Sequence, residues 1–347
     1  MLPLTDSRQP TADSRVASEA LGPGAEFDLI RRFFREPQAL PPEVTLGPGD
    51  DCAVIGGLAL STDMSVEGIH FRRDWLSPRE IGYRAAAAAL SDLAAVAARP
   101  LGVLVSLAAP PADAGENAVA VMDGVRAAAA AVGAALIGGD VTRSPGPLAL
   151  DVTVVGACAE PVLRNGARPG DELWVTGELG AAALVVRRLL DDQPAPPEAW
   201  PRFAAPAPRT REALWLRERG VPRAMLDLSD GLAGDSGHLA AASGVAIVLD
   251  LARVPVHPAV RAGAGDPAAA LWLALAGGED YELCFAARPG AVPPLLPEFE
   301  REFGIGLARV GEVRAAEAAG PGVFIAGPEG GLRPFTLHGY QHFEAFE

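Results

Sequence analysis

Apolar and polar positions alternate in blocks along the chain, and the period changes from block to block. Residues 25–36, AEFDLIRRFFRE, have apolar positions at helical spacing and predict a short amphipathic helix. Between 44 and 72, short apolar runs separated by turn residues predict three or four strands. Ser77, Pro78 and Glu80 make a capping-box start, and an alanine-rich helix is predicted from there to about residue 98. A second helix is predicted over about 114–132, stopping before Gly133, with strands at 134–139 and 148–159.

Around 160–170 the pattern turns polar, in RNGARPGD, and a domain boundary is expected there. The division is a tail over 1–24, an N-terminal domain over 25–160 and a C-terminal domain over 161–347. The second half predicts helices near 180–190, 209–219, 231–243, 267–276 and 291–303. Its strands are predicted near 172–177, 224–228, 245–251, 281–286, 307–313 and 322–326. The Pro/Ala-rich stretch 191–209 reads as a surface excursion. Alternating strands and helices define an α/β or α+β class, and 347 residues suit two domains.

Composition removes several classes of function. No apolar run reaches the ~18 residues of a membrane span. The first residues lack the apolar core of a secretory signal, and Cys52, Cys158 and Cys284 are too scattered for a disulfide framework. A reducing cytoplasm is the expected compartment. The net charge of −15 argues against nucleic acid and anionic membrane as partners. The chain contains no lysine, so all 29 basic residues are arginine. Schiff-base chemistry and lysine-based phosphate loops are thereby excluded.

The acids carry the chemical signal. Apolar runs repeatedly end in a small residue and then an acid: Asp50 and Asp51, Asp63, Asp92, Asp140, Asp227 and Asp230, Glu279 and Asp280. Any single one reads most simply as a cap or a turn residue. Asp92 resists that reading, because it falls inside the alanine-rich helix. Carboxylates packed at the ends of apolar elements need cations, and without lysine a set of Mg2+ ions is the economical partner. Softer metals are disfavoured, since no His or Cys pair has ligand spacing. Glycines in GPGDD, GGD and GGED permit close backbone approach to a ligand, or mark tight turns. VTGELG followed by an apolar helix lacks the ending of a phosphate loop and reads as structural. LSD and GGD (Asp92, Asp140) lie 48 residues apart and LSD and GGED (Asp230, Asp280) 50, an echo that suits duplication or chance.

Taken in order, GDDCAV, STDMSVEGIHF, ALSDLAAVAARP, LIGGDVTR, LDLSDGL, GGEDYEL and the closing GYQHF resemble the thiamine-monophosphate kinase family. Its superfamily includes aminoimidazole ribonucleotide synthetase and selenophosphate synthetase. The resemblance runs from about Glu26 to the closing motif. It implies a two-domain aminoimidazole ribonucleotide synthetase-like α/β fold and a homodimer closed through a shared β-barrel. The implied reaction is Mg2+-dependent transfer of phosphate from ATP to thiamine monophosphate, giving thiamine diphosphate. By motif, the implied metal residues are Asp51, Ser61, Thr62, Asp63, Asp92, Asp140, Asp227 and Asp230. Gly139, Asp140, Arg164 and Ser229 correspond to ATP contacts, and His70, Glu279 and Tyr340 to substrate contacts. No general base or nucleophile is expected.

Each of these has a plainer alternative. His70 could be a core histidine beside Phe71, Tyr340 could be C-terminal packing, and Arg164 could pair with Asp171. At the level of the chain, two readings compete: another ATP-using member of the superfamily, and a non-enzymatic metal- or nucleotide-binding protein. The first is disfavoured by the lack of an N-terminal Cys near a Lys and of a C-terminal Cys.

Overall fold

The computed structural model describes residues 25–36, 39–316, 320–326 and 331–335. The tail over 1–24 and Tyr340 with the closing motif lie outside the described residues.

The first half is an open sheet backed by two helices. Helix α1 (Ala25–Phe33) leads into strands β1 (Val44–Leu46), β2 (Ala53–Ile55) and β3 (Leu58–Val66). Helix α2 (Pro78–Ala95) starts at Ser77, whose side chain accepts from the Glu80 amide while Glu80 accepts from the Ser77 amide. Strand β4 (Arg99–Ala109), helix α3 (Glu116–Ala131) and strands β5 (Ala135–Arg143) and β6 (Ala149–Ala157) complete it. The strand order is β1-β2-β3-β6-β4-β5, with β4 and β5 parallel. Strand β4 was not expected from the pattern. Its run LGVLVSLAA follows the alanine-rich helix after only Arg99 and Pro100, so its apolar residues read as part of what precedes them.

The second half opens on β7 (Glu172–Thr176) and α4 (Ala181–Leu190), followed by α5 (Trp200–Ala204) and α6 (Thr210–Glu218). Then come β8 (Pro222–Asp227), α7 (Leu232–Ser243), β9 (Val245–Leu249), α8 (Pro258–Gly263) and α9 (Pro267–Ala276). Strand β10 (Leu283–Ala287), helix α10 (Leu296–Phe303) and strands β11 (Leu307–Ala315), β12 (Gly322–Ala326) and β13 (Leu332–Pro334) follow. The seven strands order as β13-β12-β9-β11-β7-β10-β8. Among the described residues neither sheet closes on itself, so they form no barrel within one chain.

Helix α2 lies between the halves. One side packs on the first core with Leu90 and Leu93, while Ala94 joins Trp174, Met225, Phe285 and Phe299 of the second half. A helix buried on nearly all sides needs an apolar surface all round, which is what its alanine run supplies. Helix α3 lies close against it: a Cβ on Gly82 would sit 1.9 Å from the Val121 carbonyl oxygen. The 191–209 stretch is a surface excursion only over 191–198, which is mostly exposed. Ala199, Phe203 and Ala204 are buried in the first core, because α5 presents Trp200 and Phe203 one turn apart to α2 and α4.

Candidate active site

The acids collect where α2 meets both sheets. Asp51 ends the GDD turn before β2, Asp92 projects from α2, and Asp227 is the last residue of β8. A carboxylate oxygen from each lies within 4.8 Å of the others. Asp92 also accepts from Ser61 Oγ on β3 at 2.5 Å, and Asp227 accepts from buried Ser91 Oγ at 2.6 Å. Ser91 and Asp92 are neighbours on α2, so one helix turn braces two members of the trio.

The cluster is electrostatically incomplete. Burial first, then the charges of Asp63, Asp227 and Asp51, push Asp92 well above the ordinary carboxylate range. Burial and then Asp51 push Asp227 up to about 7 and Asp50 likewise up to about 7. Among the described residues, Arg164 is the cation that reaches in. Arg164 grips Asp51 through Nε (3.0 Å) and Nη2 (2.7 Å), and its amide donates to Asp50 Oδ2 at 3.0 Å. Arg164 does not pair with Asp171, which takes Arg223 instead at 3.0 Å. Three converging carboxylates with hard oxygen donors fit Mg2+.

A second group forms at the first turns of α7, where ligand atoms of Asp230, Asp235 and His238 also lie within 4.8 Å of one another. Asp235 Oδ2 accepts from the Asp230 amide at 3.1 Å. Burial first, then the charge of Arg164, lowers His238 to about 4, so it is neutral near pH 7.

The GGED loop closes the site from the second half. The Glu279 amide donates to the Ser229 carbonyl at 2.7 Å, and the Tyr281 amide to the Leu228 carbonyl at 2.9 Å. Gly278 has φ +66, and a Cβ there would sit 2.6 Å from the Ser229 oxygen, so glycine is required. Asp280 turns inward and accepts from the Gly180 amide at 2.8 Å, filling the start of α4. The VTGELG turn is thus occupied by the chain's own carboxylate, in keeping with its structural reading.

Several expected residues sit elsewhere. Ser61 and Asp63 point from β3 toward α2, but strand alternation turns Thr62 to the opposite face. There Thr62 Oγ1 donates to Asp151 at 2.7 Å, so its side chain belongs to neither acidic group. Gly139 and Asp140 lie on β5. The register aligns Met64, Asp151, Ser106 and Asp140 in one row on the face away from the helices. Asp140 is therefore three strand spacings, about 14 Å, from β3 and belongs to neither acidic group. Gly139, at φ +148, is excluded from being larger by the Val105 carbonyl oxygen, 1.9 Å from a built Cβ. His70 Nδ1 accepts the Val66 amide at 3.1 Å, which places the proton of a neutral ring on Nε2.

Arg84, Ser91, Asp235 and His238 were not picked out from the sequence. Arg84 and Ser91 are seven residues apart on α2, on one face, and are polar within an alanine run. That spacing was the available signal. Asp235 and His238 share a helix turn but fall in no motif.

The chain is similar to known proteins over both halves. Residues 49–158 match the AIR synthase related protein N-terminal domain, and residues 168–321 match its C-terminal domain. The chain is thus a two-domain protein of the AIR synthase-related class, with a mixed α/β fold. The thiamine-monophosphate kinase of Salmonella typhimurium is 37% identical over 270 residues, spanning 75% of this chain and 82% of that protein. The solved thiamine-monophosphate kinase of Stenotrophomonas maltophilia K279a superposes with a TM-score of 0.71 at 34% identity, over 88% of this chain and 97% of that one. AaThiL complexed with AMPPCP and TMP gives a TM-score of 0.77 at 27% identity, covering 92% and 97%. The chain belongs to the thiamine-monophosphate kinase family.

Proposed function

We infer that the chain is an ATP-dependent phosphotransferase that converts thiamine monophosphate and ATP to thiamine diphosphate and ADP. The observation that carries this is the convergence of Asp51, Asp92 and Asp227, from both halves of the chain, in a lysine-free protein. The acceptor is itself a phosphate, anionic near neutral pH, so no strong base is required. The work is alignment of two phosphates and screening of their charge.

Asp51, Asp92 and Asp227 would hold Mg2+, with Ser61, Asp63 and the Thr62 backbone oxygen beside them and Asp230 in the neighbouring group. Bound there, Mg2+ supplies the positive charge that lets phosphates approach carboxylates. Arg164 would exchange Asp51 for an ATP phosphate, and Ser229, in the turn after β8, would contact ATP as well. His70 and Glu279 serve the acceptor, as does Tyr340 by motif. Transfer is direct: Cys52 is no nucleophile, since burial first and then Asp92 push its thiol up, and it donates to the Asp92 carbonyl.

The active form is a homodimer. The outer face of the first sheet carries Ile55, Leu58, Met64 and Ile137, the last two 61% and 59% exposed. Such a face calls for a cover, and a second copy closing a shared barrel provides it. Asp140 lies on that outer face, with Gly139 beside it on β5. They would reach nucleotide or metal where a partner brings its own site against them. The three free, buried cysteines suit a reducing cytoplasm. Among the described residues, no helix is long and apolar enough to cross a membrane.

The test is product analysis after incubation with ATP, Mg2+ and thiamine monophosphate. Thiamine diphosphate and ADP are expected in equal amounts, and free thiamine should be inert. Unchanged thiamine monophosphate with folded protein overturns the assignment.

A further inference from the structure

Glu279 is held across the domain boundary. Its Oε1 pairs with Arg84 Nη2, carried on α2 of the first half. The Arg84 side chain is almost sealed, whereas 33% of the Glu279 side chain remains exposed. The other arm of the guanidinium donates to the Phe203 carbonyl at 2.6 Å, and its centre lies 4.4 Å from the Phe203 ring centroid. Phe203 belongs to α5, in the Pro/Ala-rich stretch, so that stretch seats the arginine.

The backbone around Glu279 is unusual. Glu279 and Tyr281 have φ of +59 and +49, a left-handed region that side-chain-bearing residues seldom adopt. Such a backbone persists where its surroundings over-determine it. At the far end of the loop Glu282, fully buried, accepts from Thr176 Oγ1 (2.6 Å), Arg202 Nη1 (2.7 Å) and Arg209 Nε (2.7 Å). Arg202 and Arg209 come from α5 and the residues after it. The loop is clamped at Glu282 from behind and at Glu279 from the side.

We propose that Arg84 is a positioning residue for the acceptor substrate: by occupying Oε1 of Glu279 it aims the remaining carboxylate oxygen at the cationic, amino-bearing heterocycles of thiamine monophosphate. The proposal rests on the reading of Glu279 as a substrate contact. Without a partner, the carboxylate would have several rotamers and no fixed direction. With Arg84, it presents one oxygen in a fixed place. A guanidinium suits the task, because its planar fork serves the Phe203 carbonyl and the carboxylate together and lies on the ring. Burial works against the Arg84 charge, and Glu279 more than offsets it, so Arg84 stays charged.

Steady-state kinetics of Arg84→Met, Arg84→Lys, Glu279→Gln and the double variants, in the full-length enzyme, test this. Arg84→Met should raise KM for thiamine monophosphate about ten-fold or more while KM for ATP stays within about two-fold. Arg84→Lys should recover much of the loss. Combining Arg84→Met with Glu279→Gln should cost little more than Glu279→Gln alone, since the arginine acts through the glutamate. Equal rises in both KM values, or additive effects in the double variant, overturn the proposal. If Arg84→Met fails to fold, the cycle of Arg84→Lys with Glu279→Gln decides in the same way. A wild-type enzyme active on thiamine monophosphate, with Glu279→Gln unchanged in KM, overturns the proposal but leaves the kinase reading standing. A wild type without that activity overturns both.

Discussion

Asp92 shows how much a single carboxylate can be made to bear. It projects from the side of a helix into a space already holding Asp51, Asp63 and Asp227, and Ser61 Oγ donates to its carboxylate. In the metal-free protein its charge is a burden, so function and stability pull in opposite directions there. Asp92→Asn keeps the size and an oxygen for Ser61 while removing one charge. Thermal melts in chelator should therefore show the variant at least as stable as wild type. Turnover should fall by about two orders of magnitude or more, as for losing charge stabilisation at a reacting phosphate, and excess Mg2+ should restore part of it. Activity within a few-fold of wild type at limiting Mg2+ would return Asp92 to the status of an ordinary surface acid.

At the scale of elements, α2 is the organising piece. It brings Arg84, Ser91 and Asp92 to the boundary between the halves, and its close contact with α3 keeps it there. Helix α8 offers a cleaner test of local physics. It is capped by His257, whose Nδ1 accepts the Ala259 amide at 3.2 Å, a bond available only to the neutral ring. Burial, followed by the charge of Arg202 and against the pull of Glu178, holds His257 below the usual histidine value. A depressed histidine contributes stability that is present above the unfolded value near 6.5 and is lost as pH falls through the folded one. As pH falls from 7.5 to 5, wild type should thus lose stability relative to His257→Asn, which caps without titrating. Parallel denaturant titrations of the two proteins would show it, and identical pH dependence would exclude the cap as its source.

The whole molecule leaves one large surface unexplained by a single chain. The outer face of the first sheet mixes exposed Ile55, Leu58, Met64 and Ile137 with Thr62, Asp151 and Asp140. An exposed apolar face on an open sheet invites pairing, and a self-complementary two-fold contact is its simplest resolution. Ile137→Arg should shift the sedimentation mass from two chains to one. Because Asp140 lies on that face, with Gly139 beside it, turnover should fall together with dimer content across a dilution series. A monomeric wild type, or a monomeric Ile137→Arg protein with full turnover, would sever the site from the interface.

Much of this was legible in the chain itself, because the signals were local. Period and turn chemistry placed most helices and strands, the capping box at Ser77 set the start of α2, and the ordered acid motifs marked Asp51, Asp63, Asp92, Asp227 and Glu279. The absence of lysine made the need for cations readable from composition alone. Strand β4 and helix α5 were hidden, since an apolar run beside an alanine helix and a Pro/Ala-rich stretch both have ambiguous periods. What only the tertiary structure decided were long-range pairings. Arg164 meets Asp51 from 113 residues away and Arg84 meets Glu279 from 195, and no spacing rule reaches so far. Likewise the opposite facing of Asp63 and Asp140 depends on strand order and register, which are settled by packing between elements rather than within them.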